Sequence, residues 1–415
     1  MTLKILLVNT FYHPDNVGGA EFSVRLLAEE LLRHGDMPIV VATKPHGSDS
    51  VETVNGVRVY RLNIENLYWP HPDTKASIPI KVLWHFMDIH NRRMGKKLSD
   101  ILGAECPEVV HTHNLAGFSS AVWHACWHHN VPIVHTIRDF YVLCFRRTMY
   151  KNGFECTRIC PECRIFKSVR AADTRFVDTV VGVSRSVLDT HLRHGAFAHA
   201  AQKVIYNPFN PVAKHKQVKG IEQMGGTSSP IIRFGYLGQL LPVKGIEVLL
   251  EAFVTLPFGT CELLIAGTGK PDYVRYLQSR YSAQNIKFLG FVSPDELLSR
   301  IDVLVVPSLW SEPMGRVVVE AYAAGIPVIA SSRGGLKETV DDGNTGLLFD
   351  PDERGSLYRS MWTFVREPEL LNRMRENALR RAKDYEPEVV ARQYRTVYQE
   401  TVALTRRKRS NTSSV

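Results

Sequence analysis

The sequence predicts an α/β protein built from two doubly wound, Rossmann-like domains. Short apolar, β-rich runs alternate with amphipathic helical patterns, the alternation stops once at residues 207–230, and it then restarts with the same rhythm. Strands that are apolar throughout, not only at every second residue, belong in parallel sheets covered by helices on both faces. At 415 residues the chain is long enough for two cores of ordinary size.

In the first half, "LKILLVN" (3–9), "MPIVVAT" (37–43), "GVRVYRL" (56–62), "EVVHTH" (108–113), "PIVHTI" (132–137) and "TVVGVS" (179–184) read as strands. Amphipathic stretches at 20–34, 80–102 and 185–194 separate most of them. The break is polar, aperiodic and rich in Pro, Gly and Ser, which marks a linker. Beyond it, "IIRFGYLG" (231–238), "CELLIAG" (261–267), "IKFLG" (286–290), "DVLVVP" (302–307), "IPVIA" (326–330) and "TGLLF" (345–349) repeat the strand pattern, and the end is helical. The expected organisation is a first domain over 1–208 with a cysteine-bearing insertion at about 139–170, a linker over 209–230 and a second domain over 231–385. A helix over 386–405 is expected to pack back on the first domain, followed by a disordered basic tail over 406–415. In such sheets ligands bind beyond the carboxyl ends of the strands, and two facing domains place them in the cleft between.

A hydrophobic content of 44% with 22% charged residues is that of a soluble globular protein. The first apolar run is too short for a secretion signal, and no stretch reaches the length of a membrane span, so a cytoplasmic protein is expected. The net charge of +9 favours anionic partners: phosphorylated ligands, an acidic membrane surface or nucleic acid. Seven cysteines, an odd number, argue against a disulfide framework.

The segment "SLWSEPMGRVVVEAYAAGIPVIAS" (308–331) carries the most chemistry. Glu320 follows three valines and precedes an apolar run, and a carboxylate is rarely placed there without a partner. Glu312 lies eight positions upstream, although the spacing alone is weak: Glu21 and Glu29 share it, and roughly one such pair arises by chance. Glu312 has a plainer reading as a favourable charge ahead of a helix. Lys244 falls where a helix opens after a strand, and Arg316 falls in the first turn of another helix. Cations are misplaced at these positive ends unless an anion binds there. Gly315 would let such an anion approach the backbone. Two sites of this kind suggest a diphosphate, with the two carboxylates accepting bonds from sugar hydroxyls on either side.

The first half offers a matching surface. Gly18 and Gly19 precede a helix after the first strand, the position of phosphate-binding turns in doubly wound domains. His111 and His113 share one face of a strand end, and the outermost, His113, is the better ligand candidate. His135, Arg138 and Asp139 end the next strand, where Asp139 is either a ligand or a local cap.

In these residues the whole chain resembles the retaining, nucleotide-sugar-dependent glycosyltransferases of the GT-B fold, family 4 or group 1. The motifs are "GGAE" (18–21), "HTH" (111–113), "GQLLPVKG" (238–245), "LIAGTG" (264–269), "FLGFVS" (288–293) and the long segment 311–349. The resemblance implies that Glu312 holds the transferred sugar's hydroxyls and Glu320 the ribose. It implies that Lys244, with the amides near Met314, Gly315 and Arg316, stabilises the diphosphate leaving group. Gly18, Gly19 and Gly238 would line the donor, His113 would touch the sugar near the reacting carbon, and the loop around Phe291 would frame the base. Retention implies front-face attack, with the departing phosphate taking the acceptor's proton and neither a protein base nor a catalytic cofactor required. A double displacement would need a nearby carboxylate, for which Asp139 could be proposed. One departure stands out: the family commonly has arginine after the glycine of the "G-R-L" turn, and here it is Gln239. Either Lys244 and Arg316 suffice for the diphosphate, or another cation substitutes.

"DPD" (350–352) mimics a metal-binding D-x-D but follows a strand in a Pro-containing turn and reads as structural. Cys144, Cys156, Cys160 and Cys163 lie in the insertion, and "CPEC" has zinc-knuckle spacing, so these four thiols are candidates for a structural zinc site, against a reading as reduced buried thiols. In 80–102, Trp84, Phe86 and Met87 lie near Arg92, Arg93, Lys96 and Lys97. Such a helix could rest peripherally on an anionic membrane and present a lipid-linked acceptor, or simply face a core. The expected activity is hexosyl transfer from a nucleoside diphosphate sugar to a glycan or lipid-linked acceptor, as in surface polysaccharide synthesis, with no nucleic acid partner. The alternatives are a nucleotide-sugar epimerase or phosphorylase of the same fold, or a catalytically silent basic binding protein.

Overall fold

The structure, a computed structural model, describes residues 2–15, 18–71, 74, 76–209 and 231–412. Most of the expected linker therefore lies outside the described residues. The chain divides into two compact units: Met1–Met149 with Cys156–Pro208 and Pro387–Val415, and Tyr150–Glu155 with Phe209–Glu386.

From the amino terminus the strands are β1 (Lys4–Val8), β2 (Met37–Lys44), β3 (Ser50–Val54), β4 (Val57–Asn63), β5 (Val109–Thr112), β6 (Ile133–Ile137), β7 (Tyr150–Lys151), β8 (Phe154–Glu155), β9 (Thr179–Gly182) and β10 (Ala201–Val204). All but β7 and β8 form one sheet in the order β10-β9-β6-β5-β1-β2-β4-β3. The pairs are parallel except β3–β4. The six expected strands are present, and β3 and β10 are additions. Both are edge strands with exposed or half-buried side chains, so they carry no apolar pattern. A signal for β3 did exist in the sequence: Asn55-Gly56, with φ of 49° and 82°, makes the tight turn into β4. Asn152-Gly153 (φ 54° and 88°) joins β7 to β8 in the same way, and that small hairpin groups with the second unit.

The stretch 80–102 is not one helix. Helix Ile78–Met87 ends at Asp88, and helix Arg92–Glu105 starts at Asn91, whose side chain accepts from the Met94 amide at 3.2 Å. The break is fixed by burial of Asp88. Its carboxylate accepts from the Gly117 amide (2.7 Å), the Tyr141 hydroxyl (2.7 Å) and Arg170 (3.0 Å). The C-terminal helix runs over Pro387–Thr412, through most of the segment expected to be a disordered tail. Its Val390, Ala391, Tyr394, Val397 and Tyr398 join the core of the first unit beside β1, β2, β5 and β6.

The second unit continues with β11 (Ile232–Leu237), β12 (Cys261–Ala266), β13 (Ile286–Gly290), β14 (Val303–Val306), β15 (Val328–Ser331) and β16 (Gly346–Phe349). They pair in parallel in the order β13-β12-β11-β14-β15-β16. The chain order reverses between β11 and β14. Loops leaving these two strands diverge there and leave a crevice at their carboxyl ends, the place where open α/β sheets bind ligands.

Asp88 and Arg170 are both fully buried. Removing one partner strands a charge inside the protein, whereas an apolar pair of similar volume does not. Arg170→Ala is expected to cost about 3–5 kcal/mol in chemical denaturation, and Asp88→Leu combined with Arg170→Met to recover most of that loss.

Candidate active site

At the switch point of the second unit, Gly238 and Gln239 follow β11, and Pro242–Lys244 form a single 3-10 turn. Lys244 is therefore not at a helix start. Gly245, in the left-handed region at φ +72°, intervenes, and helix Ile246–Phe253 begins after it. The cause is steric: a Cβ on Gly245 would lie 1.8 Å from the Pro307 carbonyl oxygen. The turn packs directly on the loop that leaves β14, and Lys244 is aimed at that loop rather than along a helix.

That loop carries Glu312, which is buried. Its Oε1 receives three donors: Lys244 Nζ at 2.5 Å, Ser308 Oγ at 2.8 Å and Trp310 Nε1 at 3.0 Å. Lys244 also lies over the Trp310 ring, 5.2 Å from its centroid. The three donors fix the carboxylate's orientation and leave Oε2 to accept from a hydroxyl. Gly334 and Gly335, at the end of the next crossover, seat the loop from behind. A Cβ on either would fall within 2.4 Å of the Glu312 or Pro313 carbonyl oxygen.

Helix Arg316–Ala323 starts at Gly315, again left-handed at φ +80°. Arg316 Nη2 donates to Glu320 Oε1 at 2.7 Å, one turn along the helix. Burial pushes the Glu320 carboxyl above its ordinary range, and Arg316 opposes that shift. Asp295, in the short helix that follows the Phe291 loop, adds to the upward push. Phe291 itself is 84% exposed. Gln239 is exposed and Met314 fully buried, and both serve the turns through their carbonyls, which accept from Tyr236 (2.7 Å) and Thr339 (3.1 Å). The second unit thus assembles two cation–carboxylate pairs, Lys244–Glu312 and Arg316–Glu320. Ser308, Trp310, Gly334 and Gly335 carry no individual role in the sequence pattern, and the doubled glycine after β15 is the available signal.

In the first unit Gly18 is the N-cap and Gly19 the first residue of helix Gly19–Arg33, with the Gly18 amide donating to Glu21 Oε2 at 2.8 Å. His111 and His113 share a face, their rings 3.9 Å apart. His111 is a packed core residue, with its two ring nitrogens 2.7 Å from Tyr398 Oη and 2.7 Å from Thr136 Oγ1. His113 differs. Arg138 Nε donates to its Nδ1 at 3.2 Å, so the neutral ring carries its proton on Nε2. That Nε2 is buried and has no partner among the described residues, as suits an N–H reserved for a ligand oxygen. Asp139 caps a turn, accepting from the Tyr141 amide at 2.8 Å.

Among the insertion's thiols, Cys144 and Cys163 are buried with their sulfurs 3.7 Å apart. No three of Cys144, Cys156, Cys160 and Cys163 have their sulfurs all within 4.8 Å of one another. In "DPD", Asp350 Oδ1 accepts from the Asp352 amide at 2.9 Å and Asp352 pairs with Arg333 at 2.5 Å, a self-contained turn.

The sequence pattern of the family described as "Glycosyl transferases group 1" matches residues 228–381, and that of the "Glycosyl transferase 4-like domain" matches 18–208. A 42.6 kDa protein of the cps region of Klebsiella pneumoniae is 32% identical over 81% of this chain and 87% of its own length. A glycosyltransferase of Methanocaldococcus jannaschii is 30% identical over 86% of this chain and 87% of its own. Among solved structures, sucrose-phosphate synthase of Thermosynechococcus elongatus superposes with a TM-score of 0.75 at 22% identity, covering 96% of this chain and 99% of that one. Anabaena HepE, solved in complex with UDP and glucose, gives 0.69 at 20% identity, covering 96% and 100%. The chain belongs to the group 1 glycosyltransferases, and its fold is of the GT-B type.

Burial holds His111 and His113 well below the ordinary imidazole range and pushes His135 down to about 3 and His191 to about 4. These rings are neutral when folded and take up protons once unfolded. Below pH about 6.5 the unfolded chain binds more protons, so their contribution is complete above that pH and is lost as pH falls towards 3–4. Every described histidine lies in the first unit. On acidification from pH 7 to 4, amide exchange across β5 and β6 is expected to rise before that across β11 and β14.

Proposed function

We propose that the protein is a retaining hexosyltransferase that takes its sugar from a nucleoside diphosphate and passes it to a hydroxyl of a glycan or lipid-linked acceptor. The observation that carries this reading is the convergence of Lys244, Glu312, Arg316 and Glu320 on the loops around the switch point of the second unit. Two cations beside glycine-lined turns suit a diphosphate, and two oriented carboxylates suit the hydroxyls of the sugars on either side.

In this reading Glu320 accepts from the ribose hydroxyls and Glu312 Oε2 from those of the hexose. The bond from the anomeric carbon to the diphosphate oxygen breaks, and negative charge grows on that oxygen. Lys244, Arg316 and the amides near Gly315 oppose this charge, and fixed charges placed before the reaction lower the barrier. The acceptor oxygen bonds to the same face of the anomeric carbon, and its proton passes to the departing phosphate. His113 donates from Nε2 to a sugar oxygen. It stays neutral at physiological pH and so is a hydrogen-bond donor rather than an acid.

The acceptor reading rests on the first unit. Helix Ile78–Met87 buries Trp84 but leaves Ile78, Ile80, Val82, Leu83, Phe86 and Met87 exposed. Phe86 contacts Phe166 (ring centroids 5.4 Å apart) on helix Pro161–Asp173, which adds exposed Ile165 and Val169. An apolar face of this extent on one helix pair marks an interaction surface. The exposed cations Lys81, Arg92 and Lys96 lie on it or follow it closely in the chain, and exposed Arg93 stands 3.8 Å from Glu65, so its partner is an anionic bilayer carrying the acceptor. Lys97 is not part of that set, because it pairs with Asp49 (3.0 Å) and Glu65 (2.9 Å).

One nucleoside diphosphate from a panel, at saturating concentration, is expected to raise the melting temperature by about 5 °C, and Glu320→Ala to abolish the rise. Lys244→Ala should fold and turn over about 10²-fold more slowly. Absence of any nucleotide shift in folded wild-type protein would overturn the reading. Separately, co-sedimentation with phosphatidylglycerol vesicles should weaken by at least about tenfold in Leu83→Ser with Phe86→Ser, and more as salt is added. Equal binding by that variant would remove the membrane from the account.

A further inference from the structure

A second cluster, independent of the donor chemistry, sits in the first unit. His90 follows the turn after helix Ile78–Met87, His124 lies on helix Ala121–His128, and Asp173 ends helix Pro161–Asp173. One ligand atom from each lies within 4.8 Å of the other two, and no other trio of His, Cys, Asp or Glu among the described residues does this. His124 Nε2 is 2.9 Å from Asp173 Oδ1, and His90 Nδ1 is 3.9 Å from Oδ2. Ligand atoms around a tetrahedral zinc ion stand about 3.3 Å apart, given bonds of about 2.0–2.1 Å. The two distances, each to a different oxygen of Asp173, lie on either side of that edge, and with all three ligand atoms within 4.8 Å of one another the set is near the spacing an ion requires.

The carboxylate is the part that calls for a cation. The Asp173 side chain is only 9% exposed, against 32% and 29% for the two imidazoles. No lysine or arginine pairs with it among the described residues. Its neighbours are the two histidines and Ser120 Oγ, which donates to Oδ2 at 2.5 Å. Removing a carboxylate from water without a positive partner is unfavourable. Ser120 holds the group in place as the second layer around a metal does, and the more exposed rings leave an entry route.

We propose that His90, His124 and Asp173 bind one zinc-class divalent cation, with a water completing the coordination. His124 would bind through the Nε2 lone pair, with its ring proton on Nδ1. The ion would join the 88–91 turn to two helices. Two of these elements, the turn and helix Pro161–Asp173, are already linked by the buried Asp88–Arg170 pair, since His90 lies two residues past Asp88 and Asp173 three past Arg170. The site is thus a structural clip beside a polar core, with no part in sugar transfer.

Cobalt added to metal-free full-length protein tests this with a spectroscopic signature. One equivalent should give visible d–d bands of a four-coordinate site without the near-ultraviolet band of a cobalt–thiolate bond. His124→Ala and His90→Ala, both at partly exposed positions, should abolish the bands while circular dichroism stays unchanged. Ser120→Ala should weaken binding about tenfold. Cys160→Ser with Cys163→Ser should leave the bands intact. The proposal is overturned if folded wild-type protein gives no such bands, or if binding survives both histidine variants as an adventitious ion only. It is equally overturned if a thiolate band appears and disappears with the cysteines, which assigns the metal to the insertion.

Discussion

The second unit depends on backbones meeting more closely than a Cβ allows. Gly245 lies against Pro307, Gly267 against Gly238, and Gly334 and Gly335 against the 312–313 backbone, with a Cβ falling 1.8–2.4 Å from a carbonyl oxygen in each case. Any side chain there would push the loops after β11, β14 and β15 apart. Their contact is what brings a lysine from one loop onto a carboxylate of another, so the chemistry of the switch point rests on positions that carry no functional group.

Within that frame, each carboxylate faces a cation of its own unit. Lys244–Glu312 and Arg316–Glu320 keep two largely buried carboxylates compensated before any ligand arrives. A diphosphate would compete for the cations while sugar hydroxyls take over the carboxylates. Hydrogen bonds from the hydroxyls would then replace the ion pairs as partners of the carboxylates. The additional donors to Glu312 from Ser308 and Trp310 hold its orientation while Lys244 turns to the ligand.

Beside β5 and β6 the first unit is held by neutral polar groups, in contrast to the ion pairs at the switch point of the second. His111, Thr136, Tyr394 and Tyr398 form one buried hydrogen-bonded set that ties the C-terminal helix to the sheet. Because His111 is occupied on both ring nitrogens, the neighbouring His113 is the ring with a proton to offer. The same unit exposes an apolar helix pair, which gives it two dissimilar surfaces: a polar strand end and a greasy helical flank.

Much of this was legible in the sequence. Continuous apolar runs determined the buried parallel strands, because a strand covered on both faces must be apolar on both. The position of Glu320 in an apolar helix and of Arg316 in its first turn marked both as site residues, although the sequence reading gave each a ligand and the structure pairs them with each other. The polar edge strands β3 and β10 leave no apolar signature, since strands with exposed faces bear no such pattern, although Asn55-Gly56 announces the turn after the first. Asp88 broke the 80–102 helix through partners at Gly117, Tyr141 and Arg170, which no local periodicity reveals. Likewise, His111 and His113 look equivalent in "HTH", and only residues more than twenty positions away, Arg138, Thr136 and Tyr398, separate a core histidine from one with a free donor. The sequence by itself determined what repeats locally: strand, helix, turn and the residue types of the site. Tertiary structure alone decided which side chains meet, because a buried polar group takes its role from partners that chain folding, not sequence spacing, brings within hydrogen-bond reach.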